Sequence, residues 1–295
     1  MHKILSYKNA VMLMVLSATI MSTGGLFVRG MEAADQWQIL FWRGSSLGIG
    51  IFVVLAIQHR AEVFREFISI GKLGLLCGVL LAGALIGYIL SMANTTIANA
   101  FFTMSAVPFI TTILAWLVLG EKVSAITLGA IILAIFGISL MVGDGLASGQ
   151  AFGNFMALFA AFSAAGFVVA LRKGRETNLL PTIAVAAIIS AIFALAMQDN
   201  VMGIPLNDIV LGIVMGGVVA VIGQYLFVFT SRHLLAGEIT LLSLIEFVLG
   251  PIWVWLFINE VPSTMTLAGG MIVLSAISAN AIHSIVHNKK TSKIL

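Results

Sequence analysis

The sequence predicts an all-α membrane protein: ten transmembrane helices in two inverted five-helix repeats, with both termini cytoplasmic. Three observations predict it: the composition, the placement of Lys and Arg, and an internal repeat. Of 295 residues, 60% are hydrophobic and only 9% are charged, and the mean hydropathy is +1.12. A soluble domain carries about 25% charged residues, so this chain cannot clothe itself for water. A crossing helix needs roughly 20 mostly apolar residues. Ten of them with short loops fill nearly the whole length and leave no room for a soluble catalytic domain.

The first span is placed at Ala10–Val28, behind Lys3 and Lys8. That arrangement imitates a signal peptide, but the run is as long as a full span, so it is read as retained. The second, Trp37–Ile57, opens on an interfacial tryptophan and is interrupted only by Arg43. The third, Leu73–Ser91, ends with Tyr88, Ser91 and Asn94 along one face. The fourth, Ala98–Leu119, begins with Asn99 and Thr103 and contains Pro108. The fifth, Val123–Val142, runs to a short Gly-, Ser- and Asp-containing boundary at Gly143–Gly149.

The sixth span, Gln150–Leu171, has Asn154 near its start. The seventh is Pro181–Met197, and the eighth, Asp208–Thr230, carries Gln224 and Tyr225. The ninth, Ala236–Ile258, holds Glu246 at its middle, and the tenth is Ser263–Ile285. The first repeat is therefore 9–142, the second 150–285, and residues 286–295 form a cytoplasmic tail.

With the amino terminus inside, the cytoplasmic segments hold 13 of the 15 Lys and Arg; Arg29 alone lies opposite and Arg43 lies within a span. Insertion orients helices by this bias, so span count and orientation support each other. The net charge of +3 is thereby assigned to loops on one membrane face rather than to a nucleic-acid partner. Cys77 is the single cysteine, so no intrachain disulfide forms.

Sliding the chain by 139 residues aligns the fourth and fifth spans on the ninth and tenth without a gap. Trp116–Leu117 falls on Trp255–Leu256, Glu121 on Glu260, Ser124 on Ser263, and Thr127–Leu128 on Thr266–Leu267. Apolar composition alone does not put Trp, Glu, Ser and Thr in register. Because each unit has five spans, the second enters the membrane from the opposite side. Inverted repeats of this kind characterise secondary transporters, whose site lies near the midplane between the halves.

These residues resemble the drug/metabolite transporter superfamily and its EamA-type family, in which two five-helix units make a ten-helix carrier. The resemblance rests on Ala115–Glu121, an apolar run closing in Leu-Gly-Glu, and on its second copy Val254–Glu260, where Asn259 replaces the glycine. Pro108 sits where the family carries a mid-helix proline; the second unit reads Glu246-Phe247 instead of Glu-Pro, with Pro251 four residues after Phe247. The resemblance implies a bacterial inner-membrane, multi-pass carrier of small organic solutes, often an exporter of amino acids or related metabolites. It also implies a cavity mostly between the third, fourth, eighth and ninth helices, with the first and sixth contributing.

Read from the residues alone, Glu246 is the most informative position. It lies about 15 Å into its helix, near the middle of a ~30 Å core, where a carboxylate is costly. Thr240, Ser243, Glu246, Gly250 and Trp253 share its face, whereas the equivalents Phe101, Met104, Val107, Thr111 and Leu114 are mostly apolar. A pocket between a polar and a greasy stripe suits an amphipathic solute. The competing role for Glu246 is a structural hydrogen bond within the bundle. Arg43 either pairs with an anion or with Glu246, or snorkels to the outer headgroups. Tyr88, Ser91, Asn99, Thr103, Asn154, Gln224, Tyr225 and Ser243 are the remaining candidate solute contacts; each taken alone reads first as interhelical glue, and their clustering favours a cavity.

No P-loop spacing occurs, and no span pairs His, Asp, Glu or Cys at metal-ligand spacing, so no ATP hydrolysis, metal or cofactor is expected. The expected partners are a small solute and the bilayer, with monomer and homodimer both open. The function expected is a secondary carrier, not an enzyme, exporting an amino acid or related metabolite by alternating access. An importer of a nucleoside, vitamin or sulfonium cofactor is the alternative. An intramembrane transferase needs paired acid–base or metal groups that Glu246 and Arg43 do not supply, and a channel needs a ring of charges or carbonyls.

Overall fold

In hydrocarbon, backbone polar groups must be satisfied within their own segment, so apolar stretches of this length can only be helices. The computed structural model describes residues 7–120, 123, 125–147, 149–174, 178–231, 233–234 and 236–291, and helices with short connections account for all of its architecture there. Among the described residues, seven helical segments are long and apolar enough to cross a membrane, and three shorter apolar helices, Pro181–Met197, Leu242–Ile258 and Thr264–Asn280, accompany them.

The first apolar segment is two helices, α1 (Tyr7–Met21) and α2 (Gly24–Gly30). The hydroxyls of Ser22 and Thr23 donate back to the carbonyls of Thr19 and Ile20 at 2.7 and 2.8 Å, competing with the helical ladder at the break. After α3 (Gln36–His59), the connection to the third segment contains a short 3₁₀ turn and α4 (Val63–Ser69). The third segment is α5 (Gly71–Asn94).

The fourth segment also divides, into α6 (Ile97–Met104) and α7 (Val107–Leu119). Pro108 lacks the N–H that would continue the ladder, so the helix restarts in front of it. α8 (Ala125–Ala147) and α9 (Ala151–Lys173) follow. The backbone of α8 stays helical through Gly143 to Ala147, so most of the predicted boundary loop is helix. Glu121 and Ser124 of the repeat lie outside the described residues.

α10 (Pro181–Met197) leads to α11 (Leu206–Val214), a π-helical stretch at Met215–Ala220 and α12 (Val221–Ser231). α13 (Ala236–Ile258) runs continuously through Pro251, and α14 (Thr264–Thr291) closes the chain.

The helices pair in a pattern that survives exchanging the first five apolar segments with the second five. α5 packs on α9 and α7 on α9; correspondingly, α12 packs on α1 and α13 on α1. α3 packs on α10 and α8 on α14, pairs that the exchange maps onto themselves. At the α8–α14 crossing a Cβ on Gly137 would sit 2.7 Å from the Gly269 carbonyl oxygen, and one on Gly269 would sit 2.5 Å from that of Gly137. Only glycines allow this approach.

Exposed Ile49, Val79, Ile132, Phe136, Phe155, Ile188 and Ile192 cover the outside of the bundle, the surface that lipid requires. Trp116 and Trp255 are exposed in the same way, so both face outward rather than into packing.

Candidate solute cavity

Glu246 and Ser243 lie one turn apart on α13, and both face a cavity of about 180 Å³ within the bundle. A cavity needs roughly 10–15 Å³ to admit one water, so this space is large enough for several waters or a small organic solute. Opposite α13, the α6–α7 segment contributes Met104, Val107, Pro108 and Thr111. The repeat equivalents of Ser243 and Glu246 are Met104 and Val107, so the polar stripe of one copy faces the apolar stripe of the other. α1 lines the wall with Met14, Ser17, Ala18 and Met21; α5 with Leu81, Ala84, Leu85 and Tyr88. Small residues of α9 (Ala160, Ala161, Ala164) and Gly223 and Gln224 of α12 leave the volume open.

Arg43 reaches this cavity from α3. It is 2% exposed, its guanidinium carbon stands 5.3 Å from the centroid of the Tyr88 ring, and its Nε and Nη1 have no hydrogen-bond partner. Cation–π attraction from Tyr88 offsets part of the burial cost. The π-helical stretch meets α3 closely at this level: a Cβ on Gly216 would lie 2.2 Å from the Arg43 carbonyl oxygen. π-helical turns inside α-helices recur at functional sites. No ion pair joins Arg43 to Glu246 within bonding reach; the ion pairs formed among the described residues are Arg29–Glu260 at 2.6 Å and His59–Glu66 at 3.5 Å.

Of the predicted contacts, the cavity thus gathers Arg43, Tyr88, Gln224, Ser243 and Glu246. Asn99, Asn154, Ser91 and Thr103 stand elsewhere. Asn99 Nδ2 donates to Asn154 Oδ1 and to Thr95 Oγ1, whose hydroxyl donates to Gln150 Oε1 at 2.7 Å. Asn99 Oδ1, Asn154 Nδ2, Ser91 Oγ and Thr103 Oγ1 are buried there without a partner. Tyr225 accepts from Gln58 Nε2 at 3.0 Å and stacks on Phe229. Gly250 packs against the Phe101 ring, and Trp253 Nε1 donates to Ser22 Oγ at 2.9 Å. The Thr240 side chain lies outside the description. Sequence reasoning did not single out Met14, Ser17 or Met21 of α1, which carry no polar or charged signal at membrane depth beyond one serine.

The lining extends from Arg43, Tyr88 and Met104 to Phe227, Val168 and Ile239, toward the end of the bundle where α1 begins. At the other end the structure is stapled. Arg29 Nε pairs with Glu260 Oε2, while its Nη1 and Nη2 donate to the carbonyls of Met92 and Thr95, each at 2.8 Å. Glu260 Oε1 accepts from the Ile97 N–H at 2.6 Å, satisfying an otherwise free donor at the start of α6. Glu260, just past the end of α13, thereby bridges that helix to α2 and to the α5–α6 junction. An edge-on contact of Tyr88 with Phe101, and a tilted one of Phe101 with Phe247, fill the space between staple and cavity.

Residues 8–143 match the EamA-like transporter family. That match supports the resemblance to EamA-type transporters of the drug/metabolite transporter superfamily. The chain is a multi-pass protein of the bacterial inner membrane. It is similar to the pseudopaline exporter CntI of Pseudomonas aeruginosa PAO1, 25% identical over 272 residues, covering 91% of this chain and 94% of that protein. The CntI of strain UCBPP-PA14 is 26% identical over 277 residues, with coverage of 91% and 94%. A solved protein crystal structure superposes with a TM-score of 0.65 at 14% identity, covering 93% of this chain and 97% of its own, a likeness of fold.

Proposed function

We propose that the chain is a secondary transporter that exports an amphipathic organic solute, of the size of an amino acid or related metabolite, by alternating access. Two inverted five-helix units, 9–142 and 150–285, rock about the cavity, with both termini cytoplasmic. The observation that carries this reading is a mid-bundle cavity built from both halves, extended toward one end and closed at the other by the Arg29–Glu260 staple and the rings of Tyr88, Phe101 and Phe247. The exchange symmetry of the helix pairs supports two equivalent units, since rocking needs a seam that each half lines alike. The outward direction is supported by relatives named as exporters.

Opening the stapled end uncovers the seam between α5, α6 and α9. Buried polar atoms there without partners, on Ser91, Asn99, Thr103 and Asn154, supply hydrogen bonds to water or solute once the seam parts. The lining residues Tyr88, Gln224, Ser243 and Glu246 hold the solute while both ends are closed.

The test is solute flux in vesicles reconstituted with the full chain, using gradients in both directions. The reading expects saturable flux, accelerated by solute on the far side, and lost in Ala164→Phe, which fills the cavity. Flux that never saturates, or that is unchanged by Ala164→Phe, overturns it.

A further inference from the structure

Arg43 brings a full positive charge into a buried, mostly apolar cavity and leaves two of its nitrogens without partners. Desolvating an ion costs several kcal/mol, and a fold that needed the charge only for packing would pair it. A carboxylate is available in the same cavity, on Glu246. No ion pair within 4.0 Å forms between the two. Arg43 enters about 10 Å from the outer end of α3 and Glu246 about 15 Å from the opposite end of α13, so the cavity is electrically polarised along its length. The same cavity is lined by Tyr88, Met104, Phe247 and small residues of α9.

We propose that Arg43 and Glu246 form a two-ended seat for a zwitterionic solute, its carboxylate on the Arg43 guanidinium and its ammonium on Glu246. This inference rests on the transport reading above and assigns the charges of its solute. The guanidinium fork matches a carboxylate with two parallel hydrogen bonds, which would satisfy the unpartnered Nε and Nη1. Tyr88 lies against the fork and keeps it flat and in place. The rest of the solute meets Met104, Phe167, Phe227 and Phe247, so an apolar side chain completes the fit. A dianionic phosphate is disfavoured by Glu246 in the same small volume.

The experiment uses three probes with one apolar skeleton: L-phenylalanine, 3-phenylpropanoate, which lacks the ammonium, and 2-phenylethylamine, which lacks the carboxylate. Their binding to the detergent-purified full chain is read by calorimetry and thermal shift. Phenylalanine binds more tightly than either single-charge probe by about tenfold or more, the factor expected for one charge-assisted hydrogen-bonded contact. Arg43→Gln removes the advantage over 2-phenylethylamine and spares that over 3-phenylpropanoate; Glu246→Gln does the reverse. Should Arg43→Gln not fold, Arg43→Lys keeps the charge, and the carboxylate preference falls because an ammonium lacks the fork.

Equal binding of the three probes, binding of none, or preferences unmoved by both substitutions overturns the proposal. Saturable vesicle flux of a solute with no carboxylate dependence sinks this seat alone. Absence of any saturable flux sinks the transport reading beneath it.

Discussion

Arg43 shows how far a single side chain was legible. Its depth in the second apolar segment was plain, but the choice between snorkelling and inward burial was not. The guanidinium turns to Tyr88 on α5, and Gly216 on the π-helical stretch abuts the Arg43 backbone; both partners are remote in the chain. Gly216→Ala therefore drives a Cβ against the Arg43 carbonyl oxygen and the Ser46 hydroxyl. Overpacking of this kind costs about 1–3 kcal/mol, seen as a lower Tm of the purified protein and weaker solute binding. Gly129→Ala, whose Cβ meets nothing within 4 Å, is the control and leaves both unchanged. Thr103→Val tests the seam: its hydroxyl has no partner in this state, so Tm holds while flux falls severalfold. An unchanged flux would place Thr103 outside the path. Polar residues such as Asn99 and Gln224 are alike in sequence because depth alone does not separate a cavity wall from a helix contact.

At the scale of elements, the apolar segments were readable because hydrocarbon leaves only helix as a solution, whereas their interruptions were not. The break at Ser22–Thr23 depends on hydroxyls turning back on the ladder and on Trp253 from α13 donating to Ser22, a partner 231 residues away. Proline signals were opposite in outcome: Pro108 starts a new helix, while Pro251 is carried inside α13. The Arg29–Glu260 staple ties α2, α13 and the α5–α6 junction together. Glu260→Gln weakens those charge-assisted bonds by about 1.5–3 kcal/mol and shifts the population toward an opened end. With Cys77→Ala and Phe101→Cys in the background, a membrane-impermeant thiol reagent then labels position 101 faster than with Glu260 intact. Equal labelling would make the staple a passive strut.

Over the whole molecule, the repeat at an offset of 139 residues and the exchange symmetry of the helix pairs describe one architecture from two directions. Composition reached the fold class because a chain with 9% charged residues has no other solvent than lipid. The cavity volume and its charge separation were beyond it, since they arise where small residues of α9 and α12 leave space between larger neighbours. The account stands on two upside-down five-helix units with a seam between them, and topology tests that most directly. Single cysteines replace Arg60, Lys173, Glu32 and Asp199 in the Cys77→Ala protein, and an impermeant thiol reagent is applied to sealed vesicles of both orientations. Arg60→Cys and Lys173→Cys should react only in inside-out vesicles, and Glu32→Cys and Asp199→Cys only in right-side-out ones. Labelling of positions 60 and 173 from opposite sides would contradict the account.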